Sequence, residues 1–447
     1  MSAGLADPID RPLSTNFANS FDRAIREYDV VVVGGGIVGL TFACGLRKSN
    51  LKVAVIEAQT AQGAAERQRA YAFSPVSARI LAKLGLWEEV GPQLTHFDRV
   101  KLSDADYPKA ITFRPQDGRS KAVYYSAQHF VLMRALQAAV QAADNIDYWC
   151  ESQIENQIES QIENQIESQT KHQIESPTIE PAKQAARRTK LVVSQNGTKL
   201  YFDTRLVVGA DGARSLVRDR AKIKTFGWKY WQSCITAVLE PEKPHQNTAY
   251  EKFWPSGPFA ILPLPNNRCQ IVWTAPHEEA KAMLALPPEQ FLVELKARYG
   301  DDMGQLKLVN KPMMFPVQLM QSKAYVRPGV ALIGDAAHCC HPVGGQGLNM
   351  GIRDATALAE VLVAATQKGE DLGSLTVLKR YERWRQTENW FTLSLTDFLN
   401  RAFSNRFLPL LLSRRAGIWI LDTVTPLKRL ILRLMTGFFG KLPLSAK

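Results

Sequence analysis

Three glycines and one acid are spaced for dinucleotide chemistry. In GGGIVG, Gly34, Gly36 and Gly39 follow the β-branched run Tyr28–Val33 and precede a helix-compatible segment through Leu46. Gly34 permits a tight turn, Gly36 lets the backbone approach a pyrophosphate, and Gly39 allows close packing of helix on strand, while the helix N-terminus offers N–H groups to phosphate. Lys52–Ile56 reads as the next strand, and Glu57 at its end lies 23 residues after Gly34, placed to accept hydrogen bonds from an adenosine ribose. The pattern is that of a dinucleotide-dependent oxidoreductase, and by itself it does not separate NAD from FAD.

Two later segments return the chain to the same kind of site. LVVGADGARSLVR, Leu206–Arg218, is a buried strand ending in Asp211-Gly212; GVALIGDAAHCCHPVGGQGLNMGIRD, Gly329–Asp354, is another strand ending in Gly334-Asp335, then a glycine-rich loop, then a helix from about Leu348. A strand-end Asp can bind ribitol or ribose hydroxyls, and Gly344, Gly345 and Gly347 permit backbone approach to a flat ring and a pyrophosphate.

With these motifs together, the chain from Tyr28 to Pro443 resembles the FAD-dependent aromatic hydroxylases, and within them the ubiquinone-biosynthesis flavin hydroxylases. The resemblance extends to RAYAFSPVSARILAKLGLW (Arg69–Trp87), GPFAILPLPNNRCQIVW (Gly257–Trp273), LKRYERWRQTEN (Leu378–Asn389) and the terminal GFFGKLP. It implies that Gly34, Gly36, Gly39 and Glu57 hold the adenosine diphosphate half of FAD with Arg69 and Arg134 nearby. Asp211 would lie near the pyrophosphate and the path of the electron donor, Asp335 on the ribitol or pyrophosphate side, and Pro342, Gly344, Gly345, Gly347, Leu348 and Asn349 beside the isoalloxazine. It further implies dioxygen as co-substrate, a flavin C4a-hydroperoxide as the hydroxylating species, and NAD(P)H or a redox protein as donor. The substrate would be a polyprenyl phenol or quinone precursor, handled within a quinone-biosynthesis complex. Only one strong dinucleotide fingerprint is present, so no separate nicotinamide domain is expected.

Other chemistries find no support. The seven histidines form no metal-ligand spacing, and no G-x-S-x-G elbow supports a serine nucleophile. His338 and His341 flank the glycine-rich loop; for His338 the expected role is hydrogen bonding within that loop, and no general base can be named. Cys339-Cys340 reads as two buried thiols, since vicinal disulfides are strained, and Arg218 and Arg353 as phosphate or salt-bridge partners. Six cysteines without a C-x-x-C pair suit a reducing compartment. The rivals are an FAD-dependent reductase, epoxidase or non-redox cyclase on another isoprenoid lipid, or a cofactor-free binding protein.

The elements that must position these residues read as α/β: a Rossmann-like FAD-binding domain, an inserted and mainly antiparallel β-sheet substrate domain, and a C-terminal helical region. Residues 1–27 read as a mobile leader; 28–94, 127–223 and 317–400 as the three parts of the FAD-binding domain; 95–126 and 224–316 as substrate-domain strands. Phe253, Trp254, Phe259 and Trp273 are candidate ring contacts, with core packing the stronger expectation. Within 152–182 lies a low-complexity insertion whose Q-I-E-[NS] repeat drifts about 40° per repeat on a helix, so it reads as a surface linker, helical if extended.

The formal charge of +12 concentrates at one end: residues 401–447 carry nine Lys or Arg against Asp422 alone. No nucleic-acid module accompanies that excess. Leu427, Leu430, Ile431, Leu434 and Phe438 form one helical face with Lys428, Arg429 and Arg433 opposite, and Leu408, Leu411 and Leu412 with Arg414 and Arg415 repeat the theme. Residues 405–447 are therefore expected to dock on a membrane surface, the protein being cytoplasmic and peripherally associated.

Overall fold

A computed structural model describes residues 25–105, 107–118, 120–159, 188–438 and 440–446. The expected leader lies outside them up to residue 24. Val30–Val33 are buried on both faces, as their unbroken β-branched run requires. They belong to strand Arg26–Val33, the centre of a parallel sheet, with Thr198–Gly209 on one side and Val53–Ile56 on the other. Val330–Leu332 and Ile146–Trp149 extend it in parallel at either side. Helices Ile37–Leu46 and Gln346–Gln367 cross so closely that a Cβ on Gly45 would lie 2.8 Å from the Ala359 Cβ.

The second sheet runs, in spatial order, His338–Cys339, Met313–Ser322, Thr225–Pro241, Arg268–Pro276, Gly257–Leu264, Thr248–Trp254, Arg99–Ser103 and Ala110–Phe113. Only the Thr248–Trp254 to Arg99–Ser103 pairing in it is parallel. Strand Met313–Ser322 passes through the expected division at 316/317 and stays in this sheet. Helix Pro288–Tyr299 covers one face, burying Phe259 and Trp273 with Phe291 and Leu295. Phe253 turns to the other face and meets Phe403 with ring centroids 4.2 Å apart. These aromatics, with Trp254 packed beside the Phe259 cluster, are core residues.

The two sheets are joined by side chains as well as by chain. Gln270 of the second sheet accepts the Ala70 N–H (2.7 Å) and donates to the Ala70 carbonyl (3.1 Å), standing in for a strand neighbour.

The repeat begins as a strand, which corrects the helical expectation. Ser152–Glu159 pairs antiparallel with Thr189–Gln195, placing Ile154 opposite Val193 and Ile158 opposite Leu191. A four-residue repeat drifts on a helix but is commensurate with the two-residue period of a strand. The rest of the repeat, from residue 160, lies outside the described residues.

Helices Leu375–Phe403, Leu408–Thr423 and Thr425–Met435 close the C-terminal end. Arg414 is not on a solvent-facing basic stripe, as expected, but buried: it pairs with the fully buried Asp104 at 3.0 Å and donates to the carbonyls of Phe403 and Asn405. Arg415 shares Asp104 (3.2 Å), and Lys428 pairs with Asp117 (3.6 Å). Sequence gives a helical wheel but not which face docks, and here the buried Asp104 and the half-buried Asp117 draw the cations inward. Replacing Arg414 by Ala leaves the buried Asp104 carboxylate with Arg415 as its remaining cation, an expected loss of up to about 3–5 kcal/mol. It should appear as a lower unfolding midpoint and faster proteolysis within 404–424.

Candidate active site

Sheet register brings the three motifs to one place. Val33 lies opposite Gly209, and Gly209 opposite Leu332. The turns at Gly34, Asp211 and Asp335 therefore emerge side by side at the carboxyl ends of parallel strands, where open α/β sheets bind ligands. A cavity of about 440 Å³ opens there, with Gly36, Arg69, Gly212, Asp335, Pro342, Gly345, Gly347 and Leu348 in its wall.

The fingerprint glycines differ in what they permit. A Cβ on Gly34, whose φ is +108°, would meet the Ala210 carbonyl oxygen at 2.4 Å, and one on Gly39 would meet the Gly34 oxygen at 2.0 Å. A Cβ on Gly36 would meet nothing within 4 Å, so its missing side chain leaves room on the cavity side. Glu57 is buried beneath the turn, accepting the Gly35 N–H (2.9 Å) and the Gln59 N–H (3.0 Å), and is part of neither large cavity wall.

The other expected residues separate into two groups. Asp335 opens into the cavity, where desolvation raises its carboxyl above the ordinary range, opposed by His338 and Arg69. Asp211 stands behind Gly212: one oxygen accepts the Val217 N–H (3.2 Å), and Oδ1 is buried without a hydrogen-bond partner. Arg69, its guanidinium 5.3 Å from the centre of the Phe315 ring, lines the first cavity and a neighbouring one of about 570 Å³. Arg134 lines only the neighbour, with Arg67 and Arg268. Asn349 points away from the cavity: its amide donates to Ala72 and Gly345 carbonyls and accepts from the Ser74 N–H and the Ser77 hydroxyl. It fixes the Arg69–Trp87 segment to the helix that follows the loop.

The loop itself is shaped by Gly344 and Gly345, at φ +64° and +60°, which turn the chain into helix Gln346–Gln367. The first turn of that helix contributes Gln346, Gly347 and Leu348 to the cavity wall. Beneath the loop lies Asp354. It accepts from His338 Nε2 (2.5 Å), Arg385 Nε (2.8 Å), Asn389 Nδ2 (2.9 Å) and the Gly334 N–H (3.2 Å). Burial alone would raise the Asp354 carboxyl, but His338 and Arg385 hold it well below the ordinary range. His338 thus bonds to the helix after the loop and not within the loop. His341 is buried with neither ring nitrogen hydrogen-bonded, and desolvation lowers it to about 3, leaving it neutral. Cys339 and Cys340 are free thiols in the cavity wall.

A smaller cavity of about 70 Å³ adjoins the first, sharing Ala72, Leu262, Val272, Pro342 and Gly345 with it. Its other lining is mainly apolar, including Phe97, Val100, Ala249, Ala260 and Met435, with Tyr124 and Glu251 as its polar side chains besides Tyr250. Sequence reasoning missed Glu251, Asp354, Arg385 and Gln270. A signal for Glu251 was present, since two-residue alternation places it inward between Ala249 and Phe253. Arg385, Glu388 and Asn389, spaced to share one helix face, sat unread in RQTEN.

The family model described as FAD binding domain matches residues 27–394. Ubiquinone hydroxylase UbiL of Rhodospirillum rubrum is 36% identical over 414 residues, covering 92% of this chain and 89% of that one. The chain belongs to the FAD-dependent hydroxylases of ubiquinone biosynthesis. The uncharacterized protein slr1300 of Synechocystis is 44% identical over 418 residues, covering 94% of this chain and 95% of its own. Among solved structures, p-nitrophenol 4-monooxygenase PnpA of Pseudomonas putida superposes with a TM-score of 0.76 at 20% identity, over 93% of this chain and all of that one, a likeness of fold.

Membership in this FAD-dependent monooxygenase family gives the site residues a physical test, and they fit the cofactor. The open side of Gly36 leaves the space a pyrophosphate needs, and the cavity-facing Asp335 offers an acceptor to ribitol or ribose hydroxyls, while Asp211 Oδ1 stays buried behind Gly212. Gly36 has φ −76° and ψ 179°, which alanine tolerates. Gly36→Ala should therefore keep the unfolding midpoint of the apoprotein while weakening FAD retention about tenfold or more. Gly39→Ala, which must displace backbone, should lower the midpoint as well; flavin absorbance and thermal melts separate the two. Asp354→Asn is expected to cost about 3–5 kcal/mol. Because the Asp354 carboxyl is depressed when folded, its contribution is present above the unfolded value of 3.8 and fades as pH falls through the folded one. The variant's acid unfolding limb should accordingly be flatter.

Proposed function

We propose that this chain hydroxylates the aromatic ring of a polyprenylated quinone precursor, using FAD, dioxygen and two electrons from NAD(P)H or a redox protein. The observation that carries the reading is the shared wall: a mostly apolar cavity meets the dinucleotide cavity along Pro342–Gly345. A flat apolar ring seated there would lie against the loop that borders the larger cavity. The name of the Rhodospirillum relative, a ubiquinone hydroxylase, supports the substrate class. Bound and reduced, FAD supplies oxygen activation. The protein holds the ring edge in place and excludes water through Phe97, Val100, Leu262 and Met435.

In this reading Gly34, Gly36, Gly39 and Glu57 set the adenosine end, Arg69 and Arg134 flank it, and Asp211 and Asp335 take the pyrophosphate and ribitol side. Pro342–Leu348 border the isoalloxazine, with Asn349 bracing them. A three-part FAD-binding domain remains part of this reading, with the boundary after the second sheet moved beyond strand Met313–Ser322.

Cells lacking the protein should accumulate a quinone precursor short of one oxygen, read by mass spectrometry of quinone lipids. An unchanged profile on deletion in cells with no second such enzyme would remove the quinone assignment. Anaerobic bleaching of the flavin by NAD(P)H alone separates a nicotinamide donor from a redox protein.

The membrane-docking part of the proposal rests on the outer face of the C-terminal helices. Phe407, Leu408, Leu412, Trp419 and Leu430 are each 49–67% exposed, too apolar a set for a surface that meets only water. Arg406, Arg429 and Arg433 are exposed among them, and at about 1 kcal/mol per base they assist binding to anionic lipid. No helix among the described residues is long and apolar enough to cross a membrane. Co-sedimentation with anionic vesicles should be strong in low salt, weaker in high salt, and lost in Leu408→Glu/Trp419→Glu; binding unaffected by that pair would overturn the docking face.

A further inference from the structure

The ring cavity holds one acid. On strand Thr248–Trp254, Ala249, Glu251 and Phe253 share a face. Ala249 and Phe253 join the apolar cluster around Phe97, Phe113 and Phe403, and Glu251 interrupts it at 8% exposure. Its Oε1 accepts the Gly344 N–H at 3.3 Å, which sets the carboxyl against the loop dividing the two cavities. Burial pushes the carboxyl up to about 7, with the Gly344 N–H opposing. A buried carboxyl whose only hydrogen bond among the described residues is one long backbone contact costs stability, so folding does not account for it.

The groups around it leave Glu251 as the side chain able to exchange a proton. The Tyr124 hydroxyl already donates to the Met435 carbonyl (2.6 Å) and accepts from Gln346 (3.2 Å), and burial raises it far above its ordinary range. Arg353 lies beyond Tyr124, donating to the Asn349 carbonyl (3.2 Å). Lys101 lies 5.3 Å from the centre of the Tyr250 ring, on the other face of the strand. The strand partners of Glu251 are Leu102 and Ala260, and the C-terminal helix contributes Met435, none of them charged. Among the described residues no cation pairs with Glu251, so its carboxylate is free to accept a proton from a ligand.

We propose that Glu251 is the catalytic base of ring hydroxylation, accepting the proton of the substrate's ring hydroxyl. This rests on the ring-hydroxylase reading above. The O–H proton passes to a Glu251 oxygen as its electron pair moves into the ring and the ring carbon forms a new C–O bond. The hydrogen displaced from that carbon leaves as a proton as aromaticity returns, and Glu251 gives its own proton back to the phenolate oxygen. Dioxygen supplies the inserted atom, its second atom leaves as water, and the donor supplies the two electrons.

The test compares a short-chain phenol with its methyl ether, titrated into oxidised holoenzyme and read from the flavin absorbance across pH. Wild type should prefer the phenol, increasingly so as pH rises through about 7 and the carboxylate forms. Glu251→Gln should bind the ether as wild type does but lose about 10- to 100-fold in phenol affinity, with a flat pH profile; Glu251→Asp should restore the pH dependence. In a single turnover of photoreduced holoenzyme with oxygen, ring hydroxylation by Glu251→Gln should be about 10²- to 10⁴-fold slower. If Glu251→Gln keeps both the phenol preference and the pH profile, the base assignment is overturned and the hydroxylase reading stands. If neither ligand perturbs the wild-type flavin, the ring cavity is misassigned and both readings fall.

Discussion

Asp354 is a fully buried carboxylate, and the glycine-rich loop on the cavity wall is held through it. Two cationic or polar side chains from helix Leu375–Phe403, the His338 ring and the Gly334 N–H all converge on its two oxygens. A charge removed from water is tolerated only when its lone pairs are fully engaged. Satisfying this one therefore requires the strand end at Gly334, the loop at His338 and two long helices to stand in one arrangement. That arrangement places Asp335 and the Pro342–Leu348 segment on the cavity wall.

The same loop belongs to both sheets. Val330–Leu332 ends the parallel sheet, while His338–Cys339 pairs with Met313–Ser322 of the antiparallel one. A site built where two layers share a segment has one wall from each, which is why the larger cavity and the smaller apolar one can adjoin without a separate linker. Gln270, bonded to both backbone groups of Ala70, holds the opposite side of the junction.

At the C-terminal end, charge does two jobs. Asp104 and Asp117 draw Arg414, Arg415 and Lys428 into ion pairs that fasten the last helices to the second sheet. Arg406, Arg429 and Arg433 remain outside, beside exposed Phe407, Leu408 and Leu430. The net basic excess of this region is therefore a poor measure of its surface charge. Met435, at the end of the final helix, lines the smaller apolar cavity, so whatever this surface meets is one helix away from it.

The sequence alone determined the parallel strands, the glycine turn and the cofactor class. An unbroken β-branched run such as Val30–Val33 and a G-x-G-x-x-G spacing are local patterns, readable wherever they occur. The family resemblance named the loop that borders the cavity. Tertiary structure decided what those patterns could not encode. Asn349 sits in the expected loop yet faces the Ala72–Ser77 segment, because three of its four hydrogen bonds are made there, 272 to 277 residues away in the chain. The spacing of the repeat at 152 suits a strand as well as a drifting helix, and the partner at Thr189–Gln195 selects the strand. Glu251 was one acid among 43. What distinguishes it is that the fold carries it out of water to a loop more than 90 residues distant, and burial depends on which surfaces meet, not on the residues next along the chain.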